Sequence, residues 1–195
     1  MKKIIIGISG ASGIIYGIRL LQILQNLNNI ETHLVMSIAA LRTLKLETEY
    51  ALHDVEVMAD IVHDVHNIAA NISSGSFRTD GMVILPCSMK TLSGIAHSYT
   101  DSLLTRAADV SLKERRPLVL CVRESPFHLG HLRLMSLVAE MGAIIMPPIP
   151  AFYQRPKSVQ NLLDQTIFRI LDHFSIFPEN DFFWRWQGVE HNSKI

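Results

Sequence analysis

The chain has 195 residues, with 18 Lys and Arg against 18 Asp and Glu, 48% hydrophobic residues and a pI near 7.1. This length and apolar content support one substantial core, so a single domain over residues 1–195 is expected, with a tail from about residue 175 used in packing or assembly. Balanced charge gives no broad field for a nucleic-acid backbone or an anionic membrane, two cysteines make no disulfide framework, and no apolar stretch approaches the ~20 residues of a spanning helix. 

Lys2-Lys3 before Ile4, Ile5 and Ile6 superficially resembles a secretory signal, but Gly7, Ser9, Gly10 and Gly13 interrupt it and Arg19 arrives early. The expected compartment is the cytoplasm. Residues 3–9 predict a first strand, after which Ile14, Ile15, Ile18, Leu21 and Leu24 recur at helical spacing. Residues 31–37, 81–86, 117–122 and 143–146 predict further strands, and residues 39–46, 88–96, 102–113 and 132–141 predict helices. Between them, Val57, Met58, Ile61, Val62 and Val65 fit a helix, and residues 73–76 are a loop by composition. A long amphipathic helix follows Pro147, Pro148 and Pro150, marked by Val159, Leu162, Leu163, Ile167, Ile170 and Leu171. Alternating strands and helices imply right-handed crossovers and a mainly parallel sheet covered on both faces, an α/β three-layer sandwich.

Gly7, Gly10 and Gly13 punctuate the turn from first strand to first helix, where free amides suit a phosphate; a tight turn alone is the alternative. Their G-x-x-G-x-x-G spacing is neither the dinucleotide fingerprint nor a Walker A loop. The second strand ends at Ser37 rather than at a ribose-binding acid, and Ser88 and Thr91 open another predicted helix. Small hydroxyls at successive strand ends suit a monophosphate nucleotide such as FMN, although each serine by itself is also a helix cap. The apolar run 117–122 ends in Arg123 and Glu124, at the carboxyl end of a buried strand, where open α/β sheets bind ligands. Arg106 and Lys113, seven residues apart on one helix face, are expected to add positive charge beside that end.

These residues together resemble the UbiX-type flavin prenyltransferases. The resemblance runs from Gly10-Ala11-Ser12-Gly13 through Ser74-Gly75-Ser76-Phe77, Pro86-Cys87-Ser88, Arg106-Ala107-Ala108-Asp109, Lys113-Glu114-Arg115-Arg116-Pro117 and Arg123-Glu124 to Phe152-Tyr153 and Arg169. It looks especially like bacterial members associated with phenolic-acid decarboxylation. The resemblance implies a flavodoxin/Rossmann-like sandwich, assembled as a homo-oligomer, typically a dodecamer, that joins dimethylallyl phosphate to reduced FMN at N5 and C6. The prenylated FMN then serves a UbiD-type decarboxylase. By position, FMN would meet Gly10, Ala11, Ser12, Ser37, Ser88, Met89, Lys90, Thr91 and Arg123. The prenyl phosphate would meet Arg106, Lys113, Arg123, Tyr153 and Arg169, while Ser12, Glu47 and Glu124 would be catalytic. The family builds this site between subunits, so some of these groups would come from a neighbour. Some relatives place a tryptophan near residues 67–72, where this chain has none.

The chemistry agrees with the residue types. Guanidinium groups match phosphate oxygens, Glu124 beside Arg123 suits a proton acceptor, and the absence of adjacent aspartates suggests a metal-independent transfer. Two H-x-x-H pairs, His63/His66 and His128/His131, lack the further ligands of a zinc site. Trp184 and Trp186, with Phe182 and Phe183, are expected to cover a core or a subunit contact. Two rivals remain at the level of sequence: an FMN-dependent decarboxylase acting directly on an aromatic acid or a peptide cysteine, and a non-catalytic flavin carrier. The cysteine-decarboxylase branch carries Pro-Ala-Ser-Ala-Asn-Thr where this chain has Pro86-Cys87-Ser88-Met89-Lys90-Thr91, which tells against that activity.

Overall fold

Strand β1 (Lys2–Ile8) places Ile4, Ile6 and Ile8 on one face and Ile5 on the other, all buried, because its apolar run demands cover on both sides. A computed structural model describes residues 1–178; most of the expected tail, with Phe182, Phe183, Trp184 and Trp186, lies outside the described residues. After β1 come α1 (Ile14–Gln25), β2 (Ile30–Met36), α2 (Ile38–Glu47), α3 (Leu52–Glu56) and β3 (Ile61–His63). They are followed by β4 (Gly81–Cys87), α4 (Met89–Ala96), α5 (Leu103–Lys113), β5 (Leu118–Val122), α6 (Leu129–Glu140), β6 (Ile144–Ile145) and α7 (Val159–Asp172). A single 3₁₀ turn, Asn71–Ser73, lies between β3 and β4.

The strands form one sheet in the order β3-β2-β1-β4-β5-β6, with every pairing parallel. One face packs Ile4, Ile6, Ile8, Leu34 and Val83 against α1, α2 and α7. The other packs Ile5, Val35, Met82, Ile84 and Leu120 against α4 and α5. The period-two alternation of these residues is the sheet pleat, and it yields the expected α/β sandwich.

One expectation is corrected. Residues 57–65 do not form a helix: α3 ends at Glu56, and Ile61–His63 add a strand to the sheet edge. Asp60 explains the difference. Its Oδ2 accepts from the Thr32 amide at 2.8 Å and hydroxyl at 2.9 Å, and its own amide donates to Thr32 Oγ1 at 2.9 Å. This reciprocal clasp lays the following residues beside β2, where the strand ladder overrides a weak local pattern.

The chain walks outward from β1 through β2 to β3, then returns to β4 on the other side of β1. The reversal opens a crevice at the carboxyl ends of β1 and β4, the place where such sheets bind ligands. Ser9 spans it: fully buried, its hydroxyl donates to the Pro86 carbonyl at 2.8 Å and accepts from the Ser88 amide at 2.7 Å.

Candidate active site

Gly13 takes a left-handed conformation, φ 96°, to turn the glycine loop into α1, which has no acidic residue in its first turn. A carboxylate arrives instead from the end of α2. Glu47 Oε2 accepts from the Gly13 amide at 2.8 Å and from the Ile14 amide at 3.2 Å. Partial burial raises the pKa of Glu47, but bonds from the Ser12 hydroxyl and from those two amides, with the charge of Arg123, outweigh it and leave it below the ordinary carboxylate value. Gly10 lies flat on α2: a Cβ there would overlap that of Ala39 and stand 3.0 Å from the Ala39 carbonyl carbon.

Three helix starts open towards one cleft. Ser37 caps α2, accepting from Ala40; Ser88 caps α4, accepting from Thr91; and Ser102 caps α5, accepting from Thr105, with no acidic first-turn residue in any of them. The cleft encloses about 890 Å³ and is lined by Gly10, Ser37, Ser88, Thr91, Ser102 and Thr105, with Val65 and Leu104 among its apolar residues. Helix starts with no acidic residue in their first turns, beside apolar surface, suit a ligand with both an anionic group and a flat apolar body, and FMN fits that description. Lys90 stands exposed at the rim, 3.9 Å from Asp101, and Met89 packs partly buried against the α4–α5 side of the core.

At the end of β5 the Arg123 amide donates to the Cys87 carbonyl at 3.0 Å, which holds the residue at the same edge of the sheet. Glu124 is half-buried there and accepts from the Ser125 amide through Oε1 at 2.8 Å. Gly10, Ala11, Ser12, Ser37, Glu47, Ser88, Thr91, Arg123 and Glu124 thus gather along one edge, as their positions at strand ends and at the start or end of α2 require.

Lys113 and Arg169 do not join them within this chain, which corrects the expectation that Lys113 flanks the end of β5. Helix α5 begins at the cleft and runs back, antiparallel to the strands. Arg106 sits in its first turn, donating from Nε to the Ser73 carbonyl at 3.1 Å and pairing with Asp109 at 3.0 Å. Lys113 is ~10 Å further along the axis, at the amino edge, where it pairs with Glu114. A shared helix face fixes direction around the axis but not position along it. Arg169 likewise occupies the last turn of α7, pairing with Asp172 at 2.8 Å. That helix end is tied to the amino edge by Lys2, whose ammonium donates to the Phe174 and Ser175 carbonyls. Tyr153 lies half-exposed on the segment between β6 and α7.

Sequence reasoning missed Ser9, Ser102 and Thr105 as site residues. The S-x-x-T spacing at 102–105 is a helix-start signal that, read with Ser37 and Ser88, would have found the third helix start. A buried bridging serine such as Ser9 carries no signal. Of the histidine pairs, His63 stacks on His33, whereas His128 and His131 stay together with ring centroids 3.5 Å apart. Among the described residues no three His, Cys, Asp or Glu side chains stand close enough to hold a metal ion.

The chain belongs to the flavoproteins, matching the Flavoprotein family over residues 1–167. It is 67% identical to the flavin prenyltransferase UbiX of Escherichia coli K12, over 97% of this chain and 100% of that protein. A crystal structure of AnUbiX (PadA1) in complex with FMN and dimethylallyl pyrophosphate superposes with a TM-score of 0.93 at 48% identity, covering 97% and 99% of the two chains. A dodecameric FMN-dependent UbiX-like decarboxylase from Escherichia coli O157:H7 gives 0.91 at 49% identity, covering 96% and 100%. Within the flavoproteins, the chain is a member of the UbiX flavin prenyltransferase family.

Proposed function

We propose that this chain joins the dimethylallyl group of dimethylallyl phosphate to reduced FMN, making the prenylated FMN used by a UbiD-type decarboxylase. The observation that carries this reading is the knot of Ser12, Glu47, Gly13 and Arg123 beside a cleft onto which three helix starts open. A flavin carrier needs only the cleft; Glu47 caps α1 in either case, but an anionic carboxylate beside Ser12 and Arg123 also supplies the proton acceptor that a transferase requires.

Reduced FMN, when bound, supplies the nucleophilic N5 and C6 atoms that take up the five-carbon unit. The amides and hydroxyls of Gly10 to Ser12, Ser37 and Ser88 to Thr91 hold it, with Arg123 at the rim. Glu47, below the ordinary carboxylate pKa, is anionic at neutral pH and takes up a proton released as the new bond forms. Glu124 is the second acid–base group, and Ser12 aligns Glu47. Arg123, Lys113 and Arg169 hold the phosphate as it leaves, Tyr153 donates a further hydrogen bond, and Arg106 adds charge. Because Lys113 and Arg169 lie at the amino edge of their own sheet, they serve the cleft of a neighbouring copy, so the working form is a homo-oligomer, for which we propose a dodecamer. We place the protein in the cytoplasm; the two buried, free cysteines Cys87 and Cys121 suit a reducing compartment.

Anaerobic incubation with reduced FMN and dimethylallyl phosphate, followed by mass spectrometry of the extracted flavin, tests the proposal. A flavin heavier by one five-carbon unit is expected. Unchanged flavin, or release of CO₂ from an aromatic acid by the purified chain alone, would overturn it.

A further inference from the structure

Arg116 is not among the expected site residues, yet its guanidinium fork grips one loop at several points. Nη2 donates to the Gly75 carbonyl at 2.6 Å; Nη1 donates to the Phe77 carbonyl at 2.8 Å and to Thr79 Oγ1 at 3.3 Å. From the other end of the loop, Arg106 holds the Ser73 carbonyl at 3.1 Å. Alternate carbonyls of residues 73–77 are therefore fixed by two arginines. The Phe77 ring is fixed as well, edge-on to buried His33 at 5.4 Å and beneath the Lys3 ammonium at 4.8 Å.

At the centre of this pinned loop is Gly75. A Cβ there would stand 2.7 Å from Lys113 Nζ and would overlap the Glu114 carboxylate, so both charged tips lie on bare glycine backbone. The turn that ends α5 explains how the fork arrives: Arg115 is left-handed, φ 55°, and the Arg116 amide returns to the Ser111 carbonyl at 2.8 Å, swinging Arg116 under the loop.

We infer that Arg116 is a positioning residue for Lys113: by holding the Gly75 carbonyl it sets the height of a glycine seat on which the Lys113 ammonium rests. A lysine has a long, freely rotating stem; its pairing with Glu114, whose carboxylate lies on the same glycine, and the fixed seat beneath both keep its charge at one place instead of many. The seat offers that charge to the prenyl phosphate held by an adjacent copy. This inference rests on the reading that Lys113 engages that phosphate.

Steady-state kinetics on the assembled protein, with FMN affinity and urea midpoints alongside, test it using Arg116→Ala, Arg116→Lys, Gly75→Ala and Lys113→Ala. We expect Arg116→Ala and Gly75→Ala each to raise KM for dimethylallyl phosphate by about tenfold or more, with FMN affinity within about twofold, as for loss of an aligned charged contact. Arg116→Lys, lacking the fork, should not restore KM. If Lys113→Ala raises KM while Gly75→Ala and Arg116→Ala leave it unchanged, the seat is merely structural and the inference is overturned, although the role of Lys113 stands. If Lys113→Ala leaves KM unchanged, the role of Lys113 itself fails. Should Arg116→Ala not fold, Gly75→Ala alone decides.

Discussion

Glu47 closes the first helix: its Oε2 accepts from the Gly13 amide at 2.8 Å across 34 residues of sequence. One carboxylate therefore both caps α1 and feels the charge of Arg123 at the end of β5. Glu47→Gln keeps an acceptor for the amide but removes the base. Anaerobic single-turnover prenylation should slow by about 100-fold or more, the range of general acid–base catalysis, with FMN affinity little changed. Wild-type turnover in this variant would remove Glu47 from the mechanism. Because its pKa is lowered, the wild-type rate should show no loss from Glu47 protonation until the pH falls below about 4.5.

Ser9 can be removed by one atom. In Ser9→Ala the Ser88 amide loses its partner at the bottom of the cleft, while the Pro86 carbonyl keeps the Ser9 amide at 3.2 Å. An unpaired buried donor costs about 1–3 kcal/mol, which a urea titration resolves. FMN affinity should fall with it, since Ser88 begins α4.

At Gly10 the added methyl group meets the Ala39 Cβ, a one-carbon side chain that cannot swing aside, with the Ala39 backbone just behind it. Gly10→Ala should weaken FMN binding by about tenfold or more, because the loop must lift from α2. Adding Ala39→Gly removes the worst overlap and should recover part of the loss. Fluorescence titration of FMN follows both.

His33 and His63 set a pH dependence of stability. Burial pushes His33 below its ordinary pKa, opposed by Glu31 and Asp60 and assisted by Lys3; burial and then His33 do the same to His63. Below about pH 6.5 the unfolded chain therefore binds more protons than the folded pair, and stability falls as pH falls. The urea midpoint should be lower near pH 5.5 than near pH 7.5, roughly one unit either side of the unfolded histidine value. His63→Gln should flatten the difference. An equal or higher midpoint at the acid value would refute the sign.

Arg169 makes an exposed pair with Asp172, a contact of small energetic worth. Arg169→Ala should shift the urea midpoint little yet lower kcat/KM by roughly 10- to 150-fold, the loss of one charge-assisted phosphate bond. Matched losses of stability and activity would point to a structural role instead.

What could be read in advance was local. The glycine loop and the serines at 37 and 88 declare themselves because a strand end and a helix start are adjacent in sequence, and their hydroxyls cap the helices beside them. The strand Ile61–His63 was hidden because its pairing depends on Asp60 reaching Thr32, 28 residues away. Lys113 was assigned to the correct helix face but to the wrong edge of the sheet, since periodicity says nothing about how far along a crossover a residue lies. Glu47 entered through family resemblance alone; its tie to Gly13 is a tertiary contact that no local pattern reports.

The backward course of α5 has a consequence for how the protein works in dilute solution. If Lys113 serves a cleft, that cleft is not its own, and an isolated copy would be deprived of a cation for the departing anion. Turnover would then track association rather than folding, and two inactive preparations, one crippled at Glu47 and the other at Lys113, would regain activity when allowed to exchange subunits.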